Sequence, residues 1–194
     1  MNSARLVTIL VLVSAYEVVL VIRTFVLASL FSVMPVLAGG TYFTPDQIQK
    51  EVYNEVLPSS GTLWITPERR SEAEALLGKN LMQARIRYKY SDGRYLWTLS
   101  EIGKEKPITF AVVTTPDRIE RIEVMVFREV RGDEIRLPQY TAQYQGLSLT
   151  EDGQLSGHVD GISGATYSVR TMQKIAKLAL LLQRWASEEH ASAT

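Results

Sequence analysis

Ala84-Arg85-Ile86-Arg87-Tyr88-Lys89-Tyr90 alternates with a period of two. Ser91-Asp92-Gly93-Arg94 interrupts the run and Tyr95-Leu96-Trp97-Thr98-Leu99 resumes it. Successive side chains of a strand point to opposite faces, so this alternation marks strands with one buried face. Two such runs joined by a short polar stretch containing Asp-Gly read as a β-hairpin. The pattern carries on. Gly103 to Pro107 makes another turn, and Ile108 to Thr114 is an unbroken apolar run suited to a central strand. Thr115-Pro116-Asp117-Arg118 turns the chain again. Ile119 to Glu129 then alternates through Ile119, Ile122, Val124, Val126 and, just beyond, Val130 with one slip, which a bulge absorbs. About four consecutive strands with short connections predict an antiparallel meander.

Helical patterns flank the meander. Thr44-Pro45-Asp46 reads as an N-cap with Pro at the first helical position. Ile48, Val52, Val56 and Leu57 follow at helical spacing, with a stop near Pro58-Ser59-Ser60-Gly61. Thr66-Pro67-Glu68 repeats the start signal for a helix carrying Ala73, Leu76 and Leu77 and ending at Gly78. Residues 131–157 are polar and loop-rich, with a short helix expected at Pro138 to Gln145. From Ala165 onward Val169, Met172, Ala176 and Ala179 make an apolar stripe, widened by Ile175, Leu178, Leu182 and Trp185. The fold class is therefore α+β: an antiparallel meander sheet packed against N-terminal helices and a C-terminal helix. The expected divisions are a targeting segment at 1–38, one domain at 39–186 and a flexible tail at 187–194, which is small and charged.

Composition removes several functions. The chain has 194 residues, enough for one globular domain plus a targeting segment. Its 21 basic and 21 acidic residues leave no basic stripe, so nucleic acid is not an expected partner. It has no cysteine, which removes disulfides, iron–sulfur ligation and thiol catalysis. His158 and His190 stand far apart with no thiolate to join them, so no metal site is expected.

Residues 6–38 are largely apolar, interrupted by Glu17 and Arg23. In one reading Arg23 precedes the apolar core of a signal peptide at Phe25 to Val33. Val36-Leu37-Ala38 is then the cleavage site and Gly39 the first mature residue. In the other, residues from Leu6 to Leu37 form an uncleaved membrane anchor, although neither half is a clean span and Glu17 would be costly within it. Both readings place the domain outside the cytoplasm, in the periplasm or on the extracytoplasmic face of the membrane. A buried N-terminal helix is a third reading, and it would need a larger core than this chain can build.

Asp160-Gly161-Ile162-Ser163-Gly164-Ala165-Thr166-Tyr167-Ser168-Val169 joins a glycine-rich turn to the last helix. Gly161 and Gly164 allow a sharp turn and close approach of a ligand, and Ala165 adds little bulk. The N–H groups of a helix start have no intrahelical acceptor, and the helix dipole favours an anion there. Ser163, Thr166 and Ser168 supply hydroxyls. Asp160 either caps the turn or holds a metal. An ordinary capped helix would show the same pattern.

The motif also resembles that of the FMN-binding domain family, in which the last threonine of Asp-x-x-Ser-Gly-Ala-Thr holds FMN through a phosphoester. The family is related to flavin-bearing peripheral subunits of bacterial ion-pumping NADH and ferredoxin oxidoreductase complexes. The resemblance runs from Lys79 to Arg184 and includes two further elements. One is Val124-Met125-Val126-Phe127-Arg128-Glu129 with Gly132 beyond, and the other is Tyr140-Thr141-Ala142-Gln143-Tyr144-Gln145-Gly146. It implies covalent FMN on Thr166, attached by a flavin transferase using FAD and Mg²⁺. Asp160, Ser163, Gly164 and Ala165 would form the transferase's recognition motif, with Ser168 and Tyr167 beside it. Core packing accounts for Tyr88, Tyr90, Tyr95 and Trp97. Stacking on the flavin falls to one of these or to Tyr140, Tyr144 or Tyr167. Glu129, Glu134 and Glu151 read as solvated charges.

The implied function is electron transfer by an exported flavoprotein between redox partners at the membrane. A reductase of a small extracytoplasmic acceptor and a non-redox sensor or assembly module are the alternatives.

Overall fold

A computed structural model describes residues 39–54 and 56–192; the readings of 1–38 lie outside the described residues. The chain order is β1 (Gly40–Thr41), α1 (Pro45–Tyr53), β2 (Ser59–Trp64), α2 (Pro67–Leu77), β3 (Arg85–Ser91), β4 (Arg94–Ile102), β5 (Pro107–Thr115) and β6 (Arg118–Phe127). A 3₁₀ turn (Asp133–Arg136), α3 (Pro138–Thr141), a second 3₁₀ turn (Ala142–Tyr144) and α4 (Thr166–Ser192) complete it. The six strands form one antiparallel sheet in the order β1-β6-β5-β4-β3-β2. The protein is α+β, as its alternation and flanking helical patterns predict.

The expected meander is β3 to β6. Its first hairpin turns on Asp92 (φ 48°) and Gly93 (φ 74°), the pair of positive dihedrals that a two-residue turn between right-twisted strands requires. The slip in β6 is two register shifts, one between Thr109 and Phe110 and one between Val113 and Thr114. The first places Met125 and the second Glu120 as the extra residue, which returns Ile119, Ile122 and Val124 to the same buried face.

Three expectations are corrected. The sheet has six strands because β1 and β2 extend the meander at its two edges. Pro58-Ser59-Ser60-Gly61 reads as a helix stop, but Ser59 to Gly61 open strand β2: Gly61 pairs with Tyr88, and a Cβ there would stand 2.2 Å from the tyrosine ring. Helix α1 ends at Asn54 (φ 53°), leaving Val56 and Leu57 exposed beyond it. The tail is helical through Ser192. Arg69 Nη1 pairs with Glu189 Oε1 at 2.6 Å, and His190 lies 3.0 Å from the Tyr88 hydroxyl and 2.9 Å from that of Tyr95. Those long-range partners hold a segment whose composition alone suggested fraying.

Both faces of the sheet are covered. Trp97, Phe110, Val112, Ile122 and Val124 meet Met172, Ile175, Ala176, Ala179 and Leu182 of α4. On the other face Ile48, Val52 and Tyr53 of α1 cover Leu96, Ala111, Val113 and Met125. Trp97 is fully buried, and its indole N–H donates to Thr114 Oγ1 at 3.0 Å, so the core holds its one indole donor on this strand satisfied. Among the described residues no helix is long and apolar enough to cross a membrane.

Candidate functional site

The glycine-rich turn stands at the N-terminus of α4, as its sequence predicts. Ala165 N–H closes the turn by donating to Ile162 O at 3.0 Å, and Val169 N–H donates to Ala165 O at 3.0 Å as the first helical bond. The N–H groups of Thr166, Tyr167 and Ser168 therefore precede any intrahelical acceptor. Gly164 takes φ 83°, with open space where a Cβ would stand. Ser163, Gly164 and Thr166 are exposed, whereas Ala165 is buried.

Asp160 is held by its backbone. Its N–H donates to Gln143 Oε1 at 2.9 Å, and its carbonyl accepts the Tyr140 hydroxyl at 3.1 Å. The segment 140–144 is thus a clamp for the start of the motif, which is the physical reason these two separated stretches belong together. The Asp160 carboxylate is exposed, 3.5 Å from His158 Nε2, and makes no hydrogen bond to the turn among the described residues. It is not the cap that the sequence suggested.

Tyr140 and Tyr144 are buried and lie edge to face at 6.1 Å. Burial is the main cause that raises both phenols above the usual tyrosine range. Both rings are packed into the core; Tyr140 positions the turn through its hydroxyl, and Tyr144 packs against Tyr140. Tyr88, Tyr90, Tyr95 and Trp97 pack with one another and with His190. His190 lies 24 residues along α4 from Thr166, about 36 Å by the rise of a helix. That aromatic group belongs to the far end of the molecule and cannot reach a group on Thr166. Tyr167, 55 % exposed, is the remaining candidate for stacking.

A cleft of about 340 Å³ opens beside the motif. Gly164, Ala165, Tyr167 and Ser168 line one side, and Lys104, Glu105, Glu129, Val130 and Arg131 line the other. Topology explains the meeting. The β4–β5 turn and the end of β6 share one end of the sheet, since Thr109 pairs with Val126. Arg131 has no ion pair among the described residues, and Lys104 has only Glu105 at 3.7 Å with both side chains exposed. Val130, 66 % exposed, adds an apolar patch to the rim opposite Tyr167.

Glu129 is a correction: it is buried, not solvated. Its Oε1 accepts Glu105 N–H at 2.6 Å and Lys106 N–H at 2.9 Å. Burial alone would raise its carboxyl, but hydrogen bonds from the backbone of Lys106, Glu105 and Lys104 outweigh it and hold the carboxyl below the usual range. The carboxylate thereby fixes the turn that carries Lys104. Glu134 and Glu151 are exposed, as expected.

Gly132 closes the base of the site. It takes φ 92°, and a Cβ on it would stand 2.4 Å from Ser168 Oγ and 3.3 Å from Ala165 Cβ. Ser168 is buried beneath it, so this hydroxyl packs the loop as well as lining the cleft. Gly132→Ala should cost roughly 1–3 kcal/mol through the positive φ and the clash. The thermal midpoint should fall by several degrees, and Ser168→Gly in the same chain should restore part of the loss. Equal losses in the single and double variants would refute the contact.

The residues fit a phosphate-bearing aromatic cofactor. The helix start offers N–H donors, Lys104 and Arg131 offer charge, Thr166 offers a hydroxyl, and Tyr167 and Val130 offer apolar surface. Sequence reading missed Lys104 and Arg131, and gave Gln143 no role of its own within the 140–146 element. Residues 103–181 match the model of the FMN-binding domain family. The match is narrower than the Lys79 to Arg184 resemblance, starting at the β4–β5 turn and ending within α4. Among solved structures, the crystal structure of Shewanella oneidensis NqrC is similar at 14 % identity, covering 75 % of this chain and 78 % of that one with a TM-score of 0.45. No curated protein matches the chain.

Proposed function

We propose, from the match of residues 103–181 to the FMN-binding domain family, that this protein carries FMN through a phosphoester on Thr166 and transfers electrons between redox partners at the extracytoplasmic face of the membrane. The observation that carries the reading is the Asp160–Thr166 motif at the start of α4, beside a cleft lined by Lys104 and Arg131 together with Glu105 and Glu129. Attachment follows the chemistry of a transferase using FAD and Mg²⁺. The Thr166 oxygen replaces adenylate on the FMN phosphorus, and the hydroxyl proton leaves with the adenylate.

The flavin supplies the electron chemistry, and the protein supplies binding, orientation and local charge. Lys104 and Arg131 neutralise the phosphodiester, with the N–H groups of the first α4 turn aimed at the same charge. Gln143 and Tyr140 hold Asp160 so that its carboxylate stays presented to the transferase. Tyr167 and Val130 would offer apolar surface to the ring. Val130 and Tyr167 are exposed at the rim of the cleft, and apolar surface there supports a carrier that meets protein partners. The pairing of Gly40 and Thr41 with β6 supports a domain start at Gly39, with a cleaved leader or an anchor at 1–38 to deliver it.

The test is the protein co-expressed with a flavin transferase. A yellow protein whose flavin is reduced by dithionite and reoxidised by a membrane fraction, but slowly by small soluble acceptors, is the expected result. Rapid saturable turnover with a small acceptor would move the reading to a reductase. A colourless product would move it to a non-redox module.

A further inference from the structure

The sheet is forked. Strand β3 stays paired with β2 as far as Leu63↔Ile86 and Trp64↔Arg85. Its ladder with β4 runs only from Ser91↔Arg94 to Tyr88↔Trp97. Beyond that pair Arg85 and Arg87 have no register partner on β4, and Thr98 and Ser100 have none on β3. Meanwhile β4 stays paired with β5 to Ile102↔Pro107. The two strands diverge although each keeps its other neighbour, and a slot of about 600 Å³ opens between them. A gap inside a sheet forfeits ladder hydrogen bonds, so it is not what backbone pairing alone would produce.

The slot has two chemistries. Strand alternation puts Ile86 and Leu99 on the core face, where with Leu81 and Leu178 they form an apolar floor that reaches α4. The same alternation puts Arg85, Arg87 and Lys89 on the opposite face, at the mouth, beside Thr98 and Ser100. Among the described residues no acidic side chain lines the slot. Arg87 has no ion pair among them, Arg85 lies over the Trp64 ring at 5.9 Å, and Lys89 Nζ donates to Ser60 Oγ at 2.9 Å. An uncompensated basic mouth over a dry floor selects a molecule with one anionic end and one hydrocarbon end.

We propose that this slot binds a single-chain amphipathic anion. Its hydrocarbon chain lies between β3 and β4, and its carboxylate or phosphate head sits among Arg85, Arg87 and the hydroxyls of Thr98 and Ser100. The volume is within the usual range of small-molecule sites, roughly 300–1,000 Å³. The slot shares no lining residue with the cleft at Gly164. The inference therefore stands or falls independently of flavin attachment.

The full chain is titrated with 11-(dansylamino)undecanoate in detergent-free buffer below its micellar range. Saturable fluorescence enhancement with one site per chain is expected, displaced by dodecanoate and dodecyl phosphate but not by dodecanol. The exposed mouth permits two variants that leave the core intact. Arg85→Gln with Arg87→Gln should weaken binding about tenfold, equivalent to 1.4 kcal/mol, and Thr98→Trp should block it. Displacement also by lysophosphatidylglycerol would identify a single-chain membrane lipid as the source. Displacement only by dodecanoate and dodecyl phosphate would identify a free amphiphile. Absence of saturable binding, or binding that survives both variants and yields equally to dodecanol, would overturn the proposal.

Discussion

Thr166→Ala removes the whole flavin increment from the intact mass. After co-expression with a flavin transferase, wild type should gain roughly 0.44 kDa, the mass of FMN less water, on the chain. The variant should gain nothing, and Thr166→Ser should regain some or all of it, because the ester needs a hydroxyl and not a methyl. The loss is all or none because Ser163 and Ser168 cannot substitute for it. Ser168 is buried under Gly132, and Ser163 precedes the left-handed turn at Gly164 rather than standing on the helix. Stability separates this outcome from misfolding. Thr166 is exposed at the first helical position, so its loss should change stability by no more than about 0.5 kcal/mol. An increment that persists in Thr166→Ala would refute the attachment site. A variant that loses both the increment and its cooperative melt would be answered by Thr166→Ser, which preserves the packing.

The same residues show what a sequence can and cannot carry. The hairpin at 84–99 was legible because its alternation and its Asp92-Gly93 turn agree. The caps at Thr44 and Thr66 were legible because each hydroxyl acts within four residues, accepting from Gln47 and Arg69. The motif at 160–166 was legible because its geometry is local and its resemblance specific. Strand β2 was not, since Ser59 to Thr62 are small or polar and only Leu63 points fully inward. The clamp on Asp160 joins residues 17 and 20 positions apart. The cleft joins Lys104 to Gly164 through the strand order. Neither spacing has a local signature. Glu129 was misread for the same reason: a lone carboxylate at a strand end looks solvated until the turn at 103–106 is folded back over it.

Glu129→Ala should be the most damaging single change at the site that leaves the motif itself untouched. It strands Glu105 N–H and Lys106 N–H, which the carboxylate accepts at 2.6 Å and 2.9 Å. Bonds to a charged acceptor are stronger than neutral ones, and water can reach this turn in part, so a loss of about 2 kcal/mol is expected. Denaturant unfolding measures it. Glu129→Gln keeps an oxygen acceptor without the charge and should lose roughly half as much. The pH dependence has a definite sign. The folded carboxyl lies below its unfolded value, because the backbone donors favour the ionised form more than burial opposes it. Its stabilisation is therefore fully present above the unfolded carboxylate range and is lost as pH falls through the folded value. The stability gap between wild type and Glu129→Ala should be constant from about pH 7 to about pH 5 and narrow below about pH 4. A gap that widens in acid would mean that Glu129 is held protonated, and the clamp would be wrong. The turn it fixes carries Lys104 into the cleft, so flavin loading at neutral pH should slow in the same variant while Thr166 remains intact. Loading at the wild-type rate would separate Lys104 from phosphate binding and leave that charge to Arg131 and the first turn of α4.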